Sequence, residues 1–431
     1  MEQQAKPKQN SLFFLYMTYT NKNNQHPKCL KLNKSADKVN LTVKGQGVVV
    51  FTASQSCTLN FCDISGNTYL SVQFTDSAVL VNMKPSDEPL VDKNNSKGLV
   101  NKEGAYYWFS LDAQNQRLYA GIGEARIETV IYSYQFPQDN MRESRKKFLE
   151  SLVSIVPENL QVNAILRDPI TRSVPLLVKN TDELTMDSVA SGEYLPKANL
   201  SIVAQKLYDC ITGKQFLLDA PDFPEFSQAI EHSIRTPGKW CYERLKQKAT
   251  EFDKDKPNEK ETYLRITLGE NNGESPGIPY VMEIWPVGHY SPIHNHAGAS
   301  AVIRVLHGSI HVSLFPFLSG DQLEPFGKAD FKKEDITWIS PTLNQIHQLK
   351  NLDTNKDTCI TIQCYMYKQG NTSHYDYFDY LDASGKTQQY EPDSDMDFLD
   401  FKKQMKKEWL EAQPTPSTQT NEKKWFSWFK W

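Results

Sequence analysis

The chain has 431 residues and a formal net charge of -4, with 48 basic against 52 acidic side chains. This length predicts two or three domains of roughly 100–200 residues each, and the near balance of charge argues against a general nucleic-acid-binding surface. No apolar run reaches about 20 residues and the first ten residues are polar, so we expect neither a transmembrane helix nor a secretory signal. The seven cysteines show no paired spacing, which favours reduced thiols and a cytoplasmic protein.

The first third of the chain is predicted to form a β-sandwich, placed at residues 1–138. Short β-branched and aromatic runs are separated there by Gly, Asn, Asp and Ser. The predicted strands are 39–43, 48–52, 69–74, 79–83, 106–111, 117–120 and 126–135. The aromatic run Tyr106–Phe109 is interpreted either as core packing or as a ligand platform. A carbohydrate or protein ligand for this domain is a hypothesis from fold class alone.

A connector with a helix is predicted at residues 139–198, after which helices give way to strands. The predicted helices are 141–152, 200–211, 226–234, 240–252 and 394–411. The predicted strands of this part are 263–268, 279–285, 301–306, 310–315 and 358–367. The pair His307-Gly308, between two of these strands, predicts a tight hairpin.

Three histidines carry the clearest chemical signal. His294 and His296 flank one residue, so in extended chain both imidazoles point to the same side. His347 follows about 50 residues later, and three imidazoles leave coordination positions open on iron or another first-row metal. A lone His-x-His pair is common by chance, but Gly288 precedes His294 by six positions and Asn351 follows His347 by four. These spacings match the two cupin motifs.

The cupin glutamate that usually joins the histidines is replaced by Ala301. Cysteine dioxygenases are cupins that lack this glutamate and bind iron through three histidines. The segment Trp285–His296 resembles their metal-binding segment, and Tyr263-Leu-Arg265 is similar to their Tyr-x-Arg motif, whose Arg binds the substrate carboxylate. Tyr365 corresponds to the family's active-site tyrosine, and Tyr367, two positions on, is a competing candidate.

The resemblance covers residues 200–367. It implies a cupin (double-stranded β-helix) barrel at residues 199–412. With the sandwich and the helical segment predicted from the strand and helix patterns, the chain is expected to be mainly β. The resemblance also implies an iron(II) enzyme that converts cysteine and O2 to the sulfinic acid, and so a role in cysteine catabolism. The implied site consists of metal ligands His294, His296 and His347, catalytic Tyr365, substrate-binding Tyr263 and Arg265, and supporting Trp285 and Gln363.

Three departures from the family leave the substrate open, at Ala301, at Gln363 and in the loop between His347 and Thr361, which is one residue longer than in the family. Ala301 also occupies the position of a cysteine that crosslinks to the tyrosine in mammalian-type members, so we expect no crosslink. Gln363 replaces a histidine that hydrogen-bonds the tyrosine, and an amide cannot hold the same proton. Other thiols, such as 3-mercaptopropionate or cysteamine, are therefore considered. The alternatives are a cupin enzyme with another metal and reaction, and a non-catalytic binding protein built on the cupin and the sandwich.

Residues 413–431 are predicted to be a flexible linker and an aromatic, basic tail. Trp425, Trp428 and Trp431 alternate there with Phe and Lys. Tryptophan with lysine suits a membrane interface, and short aromatic peptides also dock into protein grooves. We expect membrane-surface or protein docking through this tail, with packing onto its own domain as the alternative.

Overall fold

The computed structural model describes residues 29–31, 37–86, 88–91, 97–99, 105–268, 280–321, 323–366 and 378–413. The predictions for Tyr367 and for the tail with Trp425, Trp428 and Trp431 lie outside the described residues. Within the described part of the chain, no helix combines the length and the apolar character needed to cross a membrane.

Residues 29–166 form a β-sandwich of two antiparallel six-stranded sheets. Its strands are β1 (Cys29–Lys31), β2 (Val39–Asn40), β3 (Gln46–Thr52), β4 (Cys57–Cys62), β5 (Thr68–Phe74), β6 (Val79–Met83), β7 (Pro89–Leu90), β8 (Tyr106–Asp112), β9 (Arg117–Ile122), β10 (Val130–Gln135), β11 (Ser154–Glu158) and β12 (Gln161–Leu166). The sheets have the orders β1-β12-β3-β8-β9-β10 and β2-β11-β4-β5-β6-β7. Alternate side chains point between the sheets, where Phe51, Phe61, Tyr107 and Phe109 are buried.

The sandwich continues beyond residue 138, where the sequence places its end. Helix α1 (Arg142–Glu150) follows β10, and the chain then returns to both sheets. Strand β11 pairs with β4, and β12 pairs with β3. Local patterns do not reveal these strands, because their partners lie about 100 residues earlier in the chain. The strand pairing argues for moving the first domain limit to Leu166, and the other limits stay predictions.

The connecting region leads into three helices that cover the outside of the second domain. It contains β13 (Leu177–Lys179), α2 (Met186–Ser191), β14 (Tyr194–Pro196), α3 (Ile202–Ile211), α4 (Phe226–Arg235) and α5 (Trp240–Gln247). The Ser201 hydroxyl caps α3 by accepting a hydrogen bond from the Ala204 amide at 3.2 Å. Leu207 and Ile211 of α3 pack against the larger sheet of the second domain, which explains the apolar stripe of the sequence.

The second domain is a cupin barrel closed by a long C-terminal helix. Its strands are β15 (Leu264–Leu268), β16 (Tyr280–Trp285), β17 (Ser300–His307), β18 (Ser309–Leu314), β19 (Gly327–Lys332), β20 (Ile336–Ile339), β21 (His347–Lys350), β22 (Cys359–Met366), β23 (Phe378–Leu381), β24 (Thr387–Tyr390) and β25 (Met396–Asp397). Helix α6 (Phe398–Ala412) follows. A six-stranded sheet of order β20-β17-β22-β16-β15-β25 faces a three-stranded sheet of order β19-β18-β21, and β23 pairs with β24.

The hairpin predicted at His307-Gly308 is wrong. Gly308 does form a turn, with a φ of 68° that favours glycine. Strand β17 pairs with β20 and β22, however, whereas β18 pairs with β19 and β21. The turn therefore carries the chain from one sheet to the other, because a barrel closes through such crossings.

Strand β22 shows how the barrel separates its core from its cavity. All eight of its residues are buried. Ile360, Ile362 and Cys364 pack beneath the helices on the outer side of the sheet. Gln363 and Tyr365 point into the cavity. The period of two in a strand thus gives one continuous apolar run both a structural and a chemical face.

The sandwich and the barrel share one hydrophobic core. Phe315, Phe317 and Ile346 of the barrel belong to the same buried cluster as the sandwich interior. At Gly123, after β9, a Cβ atom would lie 2.3 Å from the carbonyl oxygen of Pro316. The two backbones therefore approach each other at a place where only glycine fits.

Candidate metal centre

The three histidines predicted as ligands converge beside the barrel cavity. His294 and His296 lie between β16 and β17, and His347 is the first residue of β21. The backbones of His294 and His347 pair through N–H···O bonds of 3.0 and 3.1 Å. This pairing brings the three imidazoles together, with their possible ligand atoms all within 4.8 Å of one another.

Backbone carbonyls orient two of the imidazoles. His294 Nδ1 donates to the carbonyl oxygen of Pro292 at 3.0 Å, and His347 Nδ1 donates to that of Asn344 at 3.2 Å. Because a carbonyl only accepts, each Nδ1 carries the proton and each Nε2 keeps its lone pair. This is the arrangement by which proteins prepare histidines for metal binding.

The spacing of two of the three donor atoms fits a divalent metal ion directly. The Nε2 atoms of His296 and His347 are 3.0 Å apart, and two bonds of about 2.1 Å at a right angle would separate them by about 3.0 Å. His296 Nδ1 is buried and makes no hydrogen bond within the described residues. The residues therefore fit a first-row metal, and an all-imidazole set suits several such ions.

Burial keeps the imidazoles in the form that binds metal. Loss of solvent lowers the pKa of His294 to about 4. Burial, and then repulsion from neighbouring imidazoles, holds the pKa values of His296 and His347 well below their usual range. All three are therefore neutral at physiological pH, with lone pairs free for a cation.

Within the described part of the chain, every site residue predicted from the sequence lines one cavity. These residues are His294, His296, His347, Tyr263, Arg265, Trp285, Gln363 and Tyr365. The cavity volume open to water is about 30 Å³, which at roughly 10–15 Å³ per water is room for two or three waters. The structure also adds residues that the sequence did not single out, among them Glu283, Phe378 and Tyr380.

Arg265 forms a buried ion pair with Glu283. The two residues face each other across β15 and β16, and Arg265 Nη1 lies 3.1 Å from Glu283 Oε1. Burial raises the pKa of Glu283, while Arg265 and Gln363 oppose the rise. The only sequence signal for Glu283 is that it is the one charged residue in the otherwise apolar and aromatic β16.

A chain of hydrogen bonds joins this ion pair to Tyr365. The Tyr365 hydroxyl donates to Gln363 Oε1 at 2.5 Å, and the Gln363 side chain also hydrogen-bonds Glu283. The Tyr365 ring stacks on the His296 ring with centroids 5.9 Å apart. Ala301 is the residue directly opposite Tyr365 on β17, so no thiol occupies that position, and absence of a crosslink stays a prediction.

Aromatic side chains form the rest of the wall. Tyr263 stacks on Trp285 with ring centroids 4.1 Å apart, and burial raises the pKa of Tyr263 well above its usual value. Phe378 packs against His296 at 4.9 Å. The Tyr380 hydroxyl donates to the carbonyl oxygen of Phe252 at 3.1 Å and so points away from the histidines. This wall shields the imidazoles from water.

No family model matches the chain. Solved structures with similar parts include the cupin domain of Cnp3 from Schizosaccharomyces pombe, at 13% identity over 25% of this chain and 66% of that chain, with a TM-score of 0.20. They also include a DMSP lyase from Ruegeria pomeroyi, at 14% identity over 24% and 46%, with a TM-score of 0.19. A cupin superfamily protein from Desulfitobacterium hafniense matches at 14% identity over 25% and 79%, with a TM-score of 0.19. This chain spans less than two thirds of the first two proteins.

Proposed function

We propose that this protein is an iron-dependent thiol dioxygenase, which adds both atoms of O2 to the sulfur of a small thiol and forms the sulfinic acid. The observation that carries the proposal is the ligand set: three neutral imidazoles, that of His294 partly buried and the other two buried, with no carboxylate in the group among the described residues. They lie beside a cavity that also holds Arg265 and Tyr365. Three neutral donors leave the charge of a divalent ion uncompensated, and this favours a substrate that ionises to a thiolate.

Iron(II), held by His294, His296 and His347, would supply open positions where the thiol and O2 meet. The residues of the chain itself bind the substrate and orient it. Tyr365 offers a hydroxyl whose direction is set by Gln363, beside the ring of His296. The aromatic wall excludes water, which strengthens the polar contacts that remain. Together, the Tyr365 hydroxyl and the aromatic wall would hold a small thiol in one orientation.

The pairing of Arg265 with Glu283 favours a thiol without a carboxylate group. The guanidinium already has a counter-ion 3.1 Å away, and a second carboxylate would lie next to Glu283 in a buried site. Cysteamine therefore suits the site better than cysteine or 3-mercaptopropionate. The small cavity volume agrees with a substrate of only a few heavy atoms.

We propose separately that the tail docks to a membrane surface or a protein through Trp425, Trp428 and Trp431. A carbohydrate or protein ligand for the sandwich is a further separate proposal. Deletion of residues 423–431 should abolish binding to liposomes or to a partner and leave thiol oxidation intact. Binding that survives the deletion would refute a docking role of the tail. A cytoplasmic location is likewise a proposal.

Oxygen uptake by the iron-loaded protein tests the proposed function. The protein is loaded with iron(II) without air and given cysteine, 3-mercaptopropionate or cysteamine in parallel, with His294→Ala as the variant that lacks a ligand. His311→Ala is the matched control, because His311 pairs with Asp330 on another face of the barrel. Sulfinate formation that is lost only in His294→Ala supports the proposal. Bound iron without uptake for any thiol would favour another cupin reaction or a binding protein.

A further inference from the structure

A loop of the sandwich reaches into the barrel beside the metal centre. The loop joins β9 to β10 and contains Glu124 and Arg126. Both are charged, yet only 6% and 3% of their surfaces are exposed. They form a buried ion pair with 3.4 Å between Arg126 Nη1 and Glu124 Oε2. Buried ion pairs are costly to desolvate, so their remaining contacts need a physical explanation.

These contacts go to the segment that leads into His347. Glu124 Oε1 accepts a hydrogen bond from the backbone N–H of Gln345 at 2.9 Å. Arg126 Nη1 donates to Asn344 Oδ1 at 2.7 Å. All four side chains are buried, where charge-assisted hydrogen bonds are stronger than at the surface. The sandwich therefore holds the backbone two and three residues ahead of a metal ligand.

The held segment orients two of the three ligands. The Asn344 carbonyl oxygen accepts a hydrogen bond from His347 Nδ1, and Asn344 itself has a φ of 64°, a conformation that needs support from its surroundings. The Gln345 side chain accepts from the Gly298 amide at 3.1 Å and donates to the Ala299 carbonyl at 2.9 Å. Gln345 thus ties the segment before His347 to the one after His296.

Apolar packing reinforces the same connection. Ile293 and Ile346 precede His294 and His347 directly, and both pack into the core of the sandwich. In extended chain, neighbouring side chains point to opposite sides. The imidazoles therefore face the cavity because the isoleucines are anchored in the other domain.

We propose that the N-terminal sandwich positions the metal centre, with Glu124 and Arg126 as positioning residues that act through Asn344 and Gln345. Their hydrogen bonds keep His347 and His296 at the spacing that a metal ion requires. Metal sites need their ligands placed to within about 0.5 Å, and the groups behind the ligands set that placement. This role belongs to the metal site and does not depend on which reaction the site performs.

Metal binding by the full-length protein tests the inference. In the double variant Glu124→Leu/Arg126→Met both charges are removed together, because a lone buried charge would destabilise the fold. In Asn344→Gly the bond to Arg126 is lost, while the positive φ and the carbonyl that holds His347 are kept. The control is Glu128→Gln, since Glu128 pairs with Arg126 at 2.8 Å and, in the part of the chain that the structure describes, makes no hydrogen bond or ion pair with residues 344–347.

The readouts are the dissociation constant of iron(II), from competition with a chelator under anaerobic conditions, and the visible spectrum of the Co2+-loaded protein. We expect both test variants to bind iron(II) roughly tenfold or more weakly and to show a shifted Co2+ spectrum. Glu128→Gln should match the wild type. Thermal unfolding of the metal-free proteins reports separately on the fold.

Folded test variants with unchanged affinity and spectrum would overturn the inference. If the double variant does not fold, the result for Asn344→Gly decides. Equal losses in Glu128→Gln would also overturn it, because they would show a general effect of the domain contact. Failure of the wild type to bind iron(II) or Co2+ would refute the metal site and this inference together. Normal metal binding without thiol oxidation would refute only the proposed dioxygenase.

Discussion

Arg265 and Glu283 face each other on adjacent strands of the barrel and form an ion pair of 3.1 Å inside the cavity. The resemblance to cysteine dioxygenases implies that Arg265 is free to bind a substrate carboxylate. The ion pair instead gives this part of the wall no net charge. Under the proposed function, we therefore expect Glu283 to decide which thiols the site accepts.

Replacement of Glu283 by glutamine should move the preference towards thiols that carry a carboxylate. Gln has nearly the same shape but no charge, so the guanidinium is left to pair with the substrate. We expect the ratio of kcat/KM for 3-mercaptopropionate to that for cysteamine to rise about tenfold or more, since one such charge contact is worth more than about 1.4 kcal/mol. Steady-state oxygen uptake measures the ratio.

Glu251→Gln is the control for this change. Glu251 is a partly buried carboxylate, but it pairs with Lys248 and accepts a hydrogen bond from Tyr390. Its replacement should leave the preference unchanged. A wild-type protein that already prefers 3-mercaptopropionate would contradict the interpretation of the ion pair.

The Tyr365 hydroxyl should contribute to turnover and not to metal binding. Tyr365→Phe removes a hydroxyl held at 2.5 Å from Gln363 and keeps the ring that stacks on His296. We expect kcat to fall roughly 10- to 100-fold, as for loss of a hydrogen bond to a charged group, with unchanged iron(II) affinity. Tyr380→Phe is the matched control, because its hydroxyl points to Phe252. If kcat falls no further in Tyr365→Phe than in Tyr380→Phe, the Tyr365 hydroxyl does not have this role.

Cys210 should be the most reactive thiol among the described residues. It is partly exposed on α3, and a hydrogen bond with Cys364 lowers its pKa to about 6. Burial opposes this lowering of the pKa, and a hydrogen bond with Tyr280 adds to it. A lowered pKa means that the thiolate forms as the pH rises through about 6 and is already dominant at pH 7. The rate of alkylation by iodoacetamide should therefore rise around pH 6 and then level off.

Peptide mapping by mass spectrometry identifies the labelled residue. Cys241 and Cys359 are buried with raised pKa values and should stay unmodified in the folded protein. In Cys210→Ser the fast reaction should disappear. A rate that continues to rise up to pH 9 would show that the thiol of Cys210 has an ordinary pKa.

Truncation of Ile346 should destabilise the protein through the core shared by the two domains. The side chain is fully buried in the sandwich cluster, so Ile346→Ala should lower the free energy of unfolding by about 2–5 kcal/mol. Leu399→Ala is the control, because Leu399 is 65% exposed and should change stability by less than about 0.5 kcal/mol. Denaturant unfolding measures both. Equal effects would show that Ile346 is not anchored in a shared core.

Local sequence patterns were sufficient to predict those features that depend on spacing within a strand or a short segment. The His294-Asn-His296 pair and the alternation of Gln363 and Tyr365 follow from the period of two in extended chain. Most of the longer strands were predicted for the same reason, as was the amphipathic helix α3. The hairpin at His307-Gly308 was wrong, because a turn signal does not tell which strands pair across it.

The sequence by itself determined the three histidines and the cupin barrel around them, because each leaves a local spacing or a recognisable motif. The resemblance pointed to five further residues of the cavity wall, whereas Glu283, Phe378 and Tyr380 were added by the structure. Only the tertiary structure decided that Arg265 pairs with Glu283, that β11 and β12 complete the sandwich, and that Glu124 and Arg126 hold the segment before His347. Arg126 and Asn344 are 218 residues apart in the chain. Contacts of that range arise when separate elements pack, and no local pattern of side chains encodes them.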